Sequence, residues 1–283
     1  MRKCPVILMF LLLACFVRAE AQDAREWAEK GQKSREAKDY RGAFECFLKS
    51  ARMGDAGSQN ALGELCRLGQ GVDTSYVEAM KWFALSAAQG YARAQYNLGN
   101  MYMFGTGVKG DDDEALFWLL KAAEQGYAPA QNNYAAILID RKEFLAALEW
   151  YKKAAAQDYF PSVKNVAIMQ HYGQGIPVDA EAALEGYRRA SEAGLHQATC
   201  NIGDIYRDGV GGIRQDYREA MRWYEKASAG NYVRAIFQIG EFYERGLGVE
   251  RSVEKALEWY GKASALGYKP AQAKLEELTL VDD

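Results

Sequence analysis

AQYNLGNMYMFGTGVKGDDDEALFWLLKAAEQG, residues 94–126, holds two apolar patterns of helical period joined by a glycine-bearing loop. In the first pattern Ala94, Leu98, Gly99 and Tyr102 share one face. The small Gly99 lets a neighbouring helix come close while Leu98 and Tyr102 fill the space beside it. The second pattern reads Ala115-x-x-Trp118-x-x-Lys121-Ala122. Its start, Asp111-x-x-Glu114, has capping-box spacing: the Asp side chain accepts a bond from a free backbone N–H, and the Glu is expected to return one. Gly126 closes the second helix, since glycine tolerates the left-handed conformation found at helix ends.

The same unit recurs along the chain. Gly54, Gly90, Gly126, Asp158, Gly194, Asn231 and Gly267 each end an Ala-rich segment, in steps of 36, 36, 32, 36, 37 and 36 residues. Asp and Asn are the non-glycine residues best suited to a left-handed helix end. A period of this length marks a solenoid of helix pairs. First-helix counterparts are Ala198, Ile202, Gly203, Tyr206 and Ala235, Ile239, Gly240, Tyr243. In the second helices Trp82, Trp150, Trp223 and Trp259 match Trp118, so five of the six tryptophans share one register. Helical spacing predicts a buried inter-helix stripe there, with an aromatic cage as the alternative. On the buried reading Trp118→Ala costs about 3–5 kcal/mol. Ser75-x-x-Glu78 and Asp216-x-x-Glu219 repeat the capping box, and Asp39 and Ser252 read as simple caps.

The linking loops read Gly69-Gln70-Gly71-Val72, Gly105-Thr106-Gly107-Val108, Gly173-Gln174-Gly175-Ile176 and Gly246-Leu247-Gly248-Val249, with a longer version from Gly209 to Ile213. Gly105-x-Gly107-x-x-Gly110 matches a dinucleotide fingerprint, but that motif needs a preceding strand and here a helix precedes it. The loops read as helix stops followed by a turn that tucks one apolar residue inward. Asp111-Asp112-Asp113 suits a first helical turn meeting the helix dipole. A calcium loop would spread its oxygen ligands over about twelve residues.

Composition narrows the function classes. Of 283 residues, 35 are Lys or Arg and 38 Asp or Glu, a net charge of −3, which lacks the clustered positive surface that nucleic-acid binding requires. The two histidines, His171 and His196, leave almost no material for His-based metal or acid–base sites, so no metal or cofactor is expected. Arg2, Lys3 and the apolar run Val6–Val17 are too short to span a bilayer and predict an export signal over residues 1–21, with Ala19-Glu20-Ala21 as the cleavage site. The mature chain then carries 32 basic and 37 acidic residues, a net of −5. A rival cut at Leu12-Leu13-Ala14-Cys15 would leave a lipidated Cys15. The apolar Phe16 and Val17 favour the soluble product. Cys46, Cys66 and Cys200 lack metal or paired spacing and read as small buried residues, with a Cys46–Cys66 bridge as the alternative.

These features, A-x-x-x-L-G-x-x-Y, G-x-G-V and the Trp-x-x-Lys-Ala helix in 36-residue steps, resemble the Sel1-like repeat family, a branch of the tetratricopeptide superfamily. The resemblance covers about residues 24–278. It departs from the pattern in two units: Asp39-Tyr40-x-x-Ala43 and Asp140 to Phe144 replace the glycine loop, while Cys46 and Gly186 stand where Trp is expected. The fold implied is all-α: a right-handed superhelical solenoid of about seven helix-turn-helix repeats ending near residues 54, 90, 126, 158, 194, 231 and 267, closed by a C-terminal capping helix.

The resemblance further implies that first helices line a concave groove. That register assigns to it Asn60, Glu64, Arg67, Tyr96, Asn100, Met103, Phe104, Asn132, Lys164, His171, Tyr172, Asp204, Arg207, Phe237, Glu241 and Glu244. Amides, aromatics and both charge signs suit an extended peptide or a partner helix better than one small polar ligand. The leading expectation is a non-enzymatic protein-interaction scaffold of the bacterial envelope, binding a protein or peptide, with no nucleic acid and with membrane association only through Cys15. Some similar proteins bind or hydrolyse β-lactams, and Ser252-x-x-Lys255 matches one element of such enzymes. It lacks the Lys-Thr-Gly and Ser-Asp-Asn partners, and a helix cap explains Ser252. A third reading is carbohydrate or peptidoglycan stacking on Tyr96, Phe104, Tyr172 and Phe237.

Overall fold

The computed structural model describes residues 22–279. The export-signal expectation, with both cleavage alternatives and Cys15, lies outside the described residues. Among these, every regular element is an α-helix and none is long and apolar enough to cross a membrane. The chain divides between Ile137 and Leu138 into two compact units.

Unit 1 contains α1 (22–36), α2 (Tyr40–Arg52), α3 (Ala56–Leu68), α4 (Tyr76–Ala88), α5 (Ala92–Phe104), α6 (Asp112–Glu124) and most of α7 (Ala128–Asp140). From α2 to α6 each helix packs on the next. Unit 2 contains α8 (Phe144–Ala155), α9 (Phe160–Tyr172), α10 (Ala180–Glu192), α11 (His196–Asp208), α12 (Tyr217–Ser228), α13 (Val233–Arg245), α14 (Val253–Ala265) and α15 (Lys269–Thr279), again each packed on its successor. Packing that is strongest between chain neighbours and reaches on to the next repeat, as from α3 to α5 and from α11 to α13, is the pattern of a repeat solenoid, because no single hairpin can bury both its faces.

The predicted breaks are helix ends. Gly54, Gly90, Gly126, Gly194 and Gly267 have φ between 84° and 92°, and Asp158 and Asn231 have φ of 56° and 57°. Lys38 and Lys142 also turn left-handed, with φ of 61° and 63°. They lie in the two connections without a glycine loop, where nothing in their residue type signals it.

In the loops the second glycine has a packing role. A Cβ on Gly71 (φ 73°) would lie 2.4 Å from the Tyr40 carbonyl oxygen, at the start of the preceding second helix. A Cβ on Gly248 (φ 68°) would likewise lie 2.8 Å from Tyr217 Cβ. Each loop therefore docks on the hairpin before it. The following apolar residue is half-buried, as Val249 is against the cluster around Tyr224 and Phe242.

The caps hold, with one correction. Ser75 Oγ accepts from Glu78 N at 3.2 Å, Asp111 from Asp113 N and Glu114 N at 3.0 and 3.1 Å, and Asp216 from Arg218 N and Glu219 N at 3.0 Å. Asp39 and Ser252 cap as expected. The glutamates do not return the bond. The cap N–H groups of Ser75, Asp111 and Asp216 donate instead to Cys66, Tyr102 and Tyr206 carbonyls at the end of the previous helix, at 2.9, 3.1 and 2.8 Å. Glu114 and Glu219 are left to accept from the indoles of Trp118 and Trp223 at 3.2 and 2.9 Å.

The tryptophan register is also corrected. Trp82, Trp118, Trp150, Trp223 and Trp259 are only half-buried. Four of the rings carry a lysine from the next turn: Lys121, Lys153, Lys226 and Lys262 lie 5.3, 3.8, 4.9 and 4.1 Å from Trp118, Trp150, Trp223 and Trp259. The buried stripe runs one residue later, through Phe47, Phe83, Leu119, Tyr151, Tyr187, Tyr224 and Tyr260. Its members sit on the small residues of the first helices: Cβ atoms on Gly63, Gly203 and Gly240 would lie 2.5, 2.6 and 2.6 Å from the rings of Phe83, Tyr224 and Tyr260. Truncating Trp118 therefore removes about 1–2 kcal/mol rather than a full core contribution. Cys46, Cys66 and Cys200 are free thiols, so the Cys46–Cys66 bridge is not formed. Burial pushes the Cys200 thiol up to about 12.

Candidate binding site

In unit 1 the first helices α3 and α5 bring several groove candidates together. Asn60 is buried, donates to Glu64 at 3.4 Å and accepts from Asn97 at 2.9 Å. Glu64 also meets Arg35 at 3.4 Å and Arg93 at 3.0 Å. Asn100 accepts from Asn133 at 2.8 Å, and Asn133 accepts from Asn132 at 3.0 Å. Arg67, Tyr96, Asn100 and Phe104, with Asn97, Met101 and Thr106, line a pocket of about 290 Å³. One side of it is apolar and open, since Phe104 is 68% exposed. Tyr96 is braced edge-on by Tyr127 at 5.3 Å.

In unit 2 the corresponding face is a closed polar network. Asp204, 1% exposed, accepts from Arg234 at 2.6 Å and from the Tyr224 hydroxyl at 2.9 Å, with Arg207 at 3.3 Å. Arg207 forks onto both Asp208 oxygens at 2.7 Å and donates to Gln238 at 2.8 Å. Gln238 in turn donates to Glu241 at 2.8 Å, and burial holds the Glu241 carboxyl above the usual range. Glu244 accepts from Lys274 at 3.0 Å and from the Tyr260 hydroxyl. Lys164 donates to Gln197 at 3.0 Å, and burial lowers its ammonium from the ordinary value.

Of the remaining candidates, Met103 is half-buried and Tyr172 is 57% exposed. Phe237 is a core residue packed between Tyr260 and Tyr268 at 5.2 and 5.3 Å, so it offers no face to a sugar. Ser252 Oγ is occupied as a cap, accepting from Lys255 N at 3.2 Å, while the Lys255 ammonium lies 5.2 Å from the Tyr243 ring. The Ser-x-x-Lys match is thus explained by helix capping.

His171 is buried, with Nδ1 3.3 Å from the Tyr187 hydroxyl and its ring stacked on Tyr172 at 4.2 Å. Burial lowers its pKa against the opposing pull of Asp204 and Asp208, while Arg207 and Arg234 lower it further. The unfolded chain, with an ordinary value of about 6.5, then binds more protons than the folded one just below that pH. Stability is expected to fall as pH drops below about 6.5, down through the folded-state value. Denaturation midpoints between pH 7 and pH 5 check this, and His171→Gln should flatten that decline.

Sequence reasoning missed Arg93, Arg234 and Gln238. A signal existed: Glu64 and Asp204 occupy the same first-helix position, and Arg93 and Arg234 the same position of the following first helix. The recurrence of acid and base in register marks a ladder between adjacent repeats.

The family model described as Sel1 repeat matches residues 17–55, 56–91, 92–127, 128–159, 164–195, 196–232 and 233–268. Among solved structures, a Sel1 repeat protein from Oxalobacter formigenes is 29% identical with a TM-score of 0.77, covering 84% of this chain and 96% of that one. A protective antigen of uropathogenic Escherichia coli strains, displaying an SLR fold, is 30% identical with a TM-score of 0.75. That match covers 92% of this chain and 57% of the antigen, so the present chain spans little over half of that protein. Immunity protein Pa5087 from Pseudomonas aeruginosa, 16% identical with a TM-score of 0.50, covers 76% of this chain and 83% of its own, and shares the fold alone. Among curated proteins none matches the sequence.

Proposed function

Because the chain belongs to the Sel1 repeat family, whose solenoids generally serve as protein-interaction scaffolds, we propose that it is a non-enzymatic scaffold of the bacterial envelope that holds an extended peptide or partner helix on its first-helix face. The observation that carries this reading is the open pocket of unit 1, where Arg67, Tyr96, Asn100 and Phe104 converge. Exposed aromatic and arginine side chains around a pocket are what interface hot spots are made of. The basic start, apolar run and Ala19-Glu20-Ala21 of the first 21 residues support export.

A photo-cross-linking residue at position 104 tests the reading, with Phe117 on α6, 49% exposed, as the control position. In an envelope extract, position 104 is expected to trap a partner and position 117 is not. Equal trapping from both, or trapping from 117 alone, would overturn it. Arg67→Glu is the informative charge reversal. Arg207 is unsuitable because its guanidinium holds Asp208, Gln238 and Asp204 together.

A further inference from the structure

Arg67 and Arg207 occupy the same position, one residue before the end of α3 and of α11. Their surroundings differ in a directed way. Arg207 is saturated: Asp208 takes its fork, and Gln238 on the next first helix takes a third bond. In unit 1 the position of Asp208 is Leu68, that of Gln238 is the shorter Asn97, and that of Glu241 is Asn100. Glu64, the counterpart of Asp204, is engaged by Arg35 and Arg93. Among the described residues Arg67 consequently has no ion pair or hydrogen bond, and its guanidinium opens into the pocket with Tyr96, Asn97, Asn100 and Phe104.

We infer that this pocket takes the side-chain carboxylate of an Asp or Glu in an extended partner peptide, with an apolar neighbour of that residue lying on the exposed Phe104. The inference rests on the scaffold reading above and adds its specificity. Unit 2 shows the chemistry within the molecule itself: an Asp side chain sits bidentately on the equivalent arginine. Unit 1 keeps the arginine and lacks the acid, so its guanidinium is open to an acceptor from outside. Asn100 accepts through its oxygen from Asn133, which leaves its amide N–H groups to donate to the same ligand. A planar guanidinium with free donors selects a carboxylate over a neutral amide because charge-assisted, forked bonds are the stronger.

The test uses the full chain and an array of short peptides, N-acetylated and C-amidated, each with a central Asp or Glu among varied apolar residues, paired with its Asn or Gln counterpart. The acidic members are expected to bind about tenfold or more tightly than their amides by fluorescence anisotropy. Arg67→Gln should abolish that preference. Leu68→Asp should do the same by supplying the internal acid of unit 2, at an exposed position where the fold tolerates it. Unchanged melting of both variants keeps the reading specific to binding. Equal binding of acid and amide peptides, no binding by any member, or full retention of the preference in Leu68→Asp overturns the inference. If position 104 still cross-links a partner in that case, only the carboxylate specificity falls. If the cross-link is lost as well, the scaffold reading falls with it.

Discussion

Replacing Tyr224 with alanine is expected to destabilise the α11–α13 region by about 3–5 kcal/mol, as large aromatic truncations in packed cores do. Tyr224 is fully buried, its ring lies against Gly203, and Phe242 meets it edge-on at 5.3 Å. Its hydroxyl donates to Asp204 at 2.9 Å, and burial holds the phenol far above its ordinary pKa. The cavity left behind would be walled by α11 and α13, which pack on both sides of the ring and limit how far it can close. Trp223→Ala, one residue away, should cost about 1–2 kcal/mol, since that ring is half-buried and its indole bonds only to the surface Glu219. Native-state hydrogen exchange across α11–α13 reads the difference locally, which matters in a repeat array where two-state unfolding is not assured. Equal losses for the two variants would return the tryptophan register to the core. Tyr224→Phe, which keeps the ring and strands the Asp204 bond, should cost about 1–3 kcal/mol, less than the alanine variant.

The second large effect is expected at Asp204. Asp204→Ala leaves the Arg234 and Arg207 guanidinium groups, whose side chains are 33% and 26% exposed, and the Tyr224 hydroxyl without their shared acceptor. Removing one partner of a buried ion pair costs about 3–5 kcal/mol, because the remaining charge is left poorly solvated. The partial exposure of both arginines puts the expected value toward the lower end. Asp204→Asn should cost less, since an amide oxygen can still accept. Urea midpoints of the two variants check the order, and a milder Ala variant than Asn variant would contradict this network. The losses of Tyr224→Phe and Asp204→Ala should not add, because both break the same hydrogen bond. The equivalent Glu64→Ala in unit 1 is expected to be gentler. Glu64 lies nearer water, at 14% exposure, and has no tyrosine counterpart donating to it.

The two units therefore use one ladder differently. In unit 2 the first-helix face satisfies its own charges, with Arg207 and Glu244 each tied into neighbours. In unit 1 the same positions leave Arg67 open. Groove membership assigned by register alone cannot separate these cases. Asn60, His171, Asp204 and Phe237 share that register with Phe104 and Tyr172, yet the first four are buried and the last two face solvent.

Much of the architecture is readable without coordinates because it rests on local chemistry. A side-chain cap needs an oxygen within three residues of a free N–H, a left-handed helix end favours Gly, Asn or Asp, and a hairpin repeats its pattern about every 36 residues. So the amino-acid sequence by itself determined the helix order, the breaks at Gly54 to Gly267 and the repeat family. Only the tertiary structure decided which of two adjacent aromatics, Trp223 or Tyr224, turns inward, that the cap N–H groups bond to the previous helix, and that Arg67 is free while Arg207 is not. The first two outcomes are set by atoms about ten to twenty residues away along the chain, while Arg207 is held both by its neighbour Asp208 and by Gln238 on the next first helix. Periodicity specifies which residues share a helix face, whereas burial and charge pairing depend on the side chains that the neighbouring helix presents.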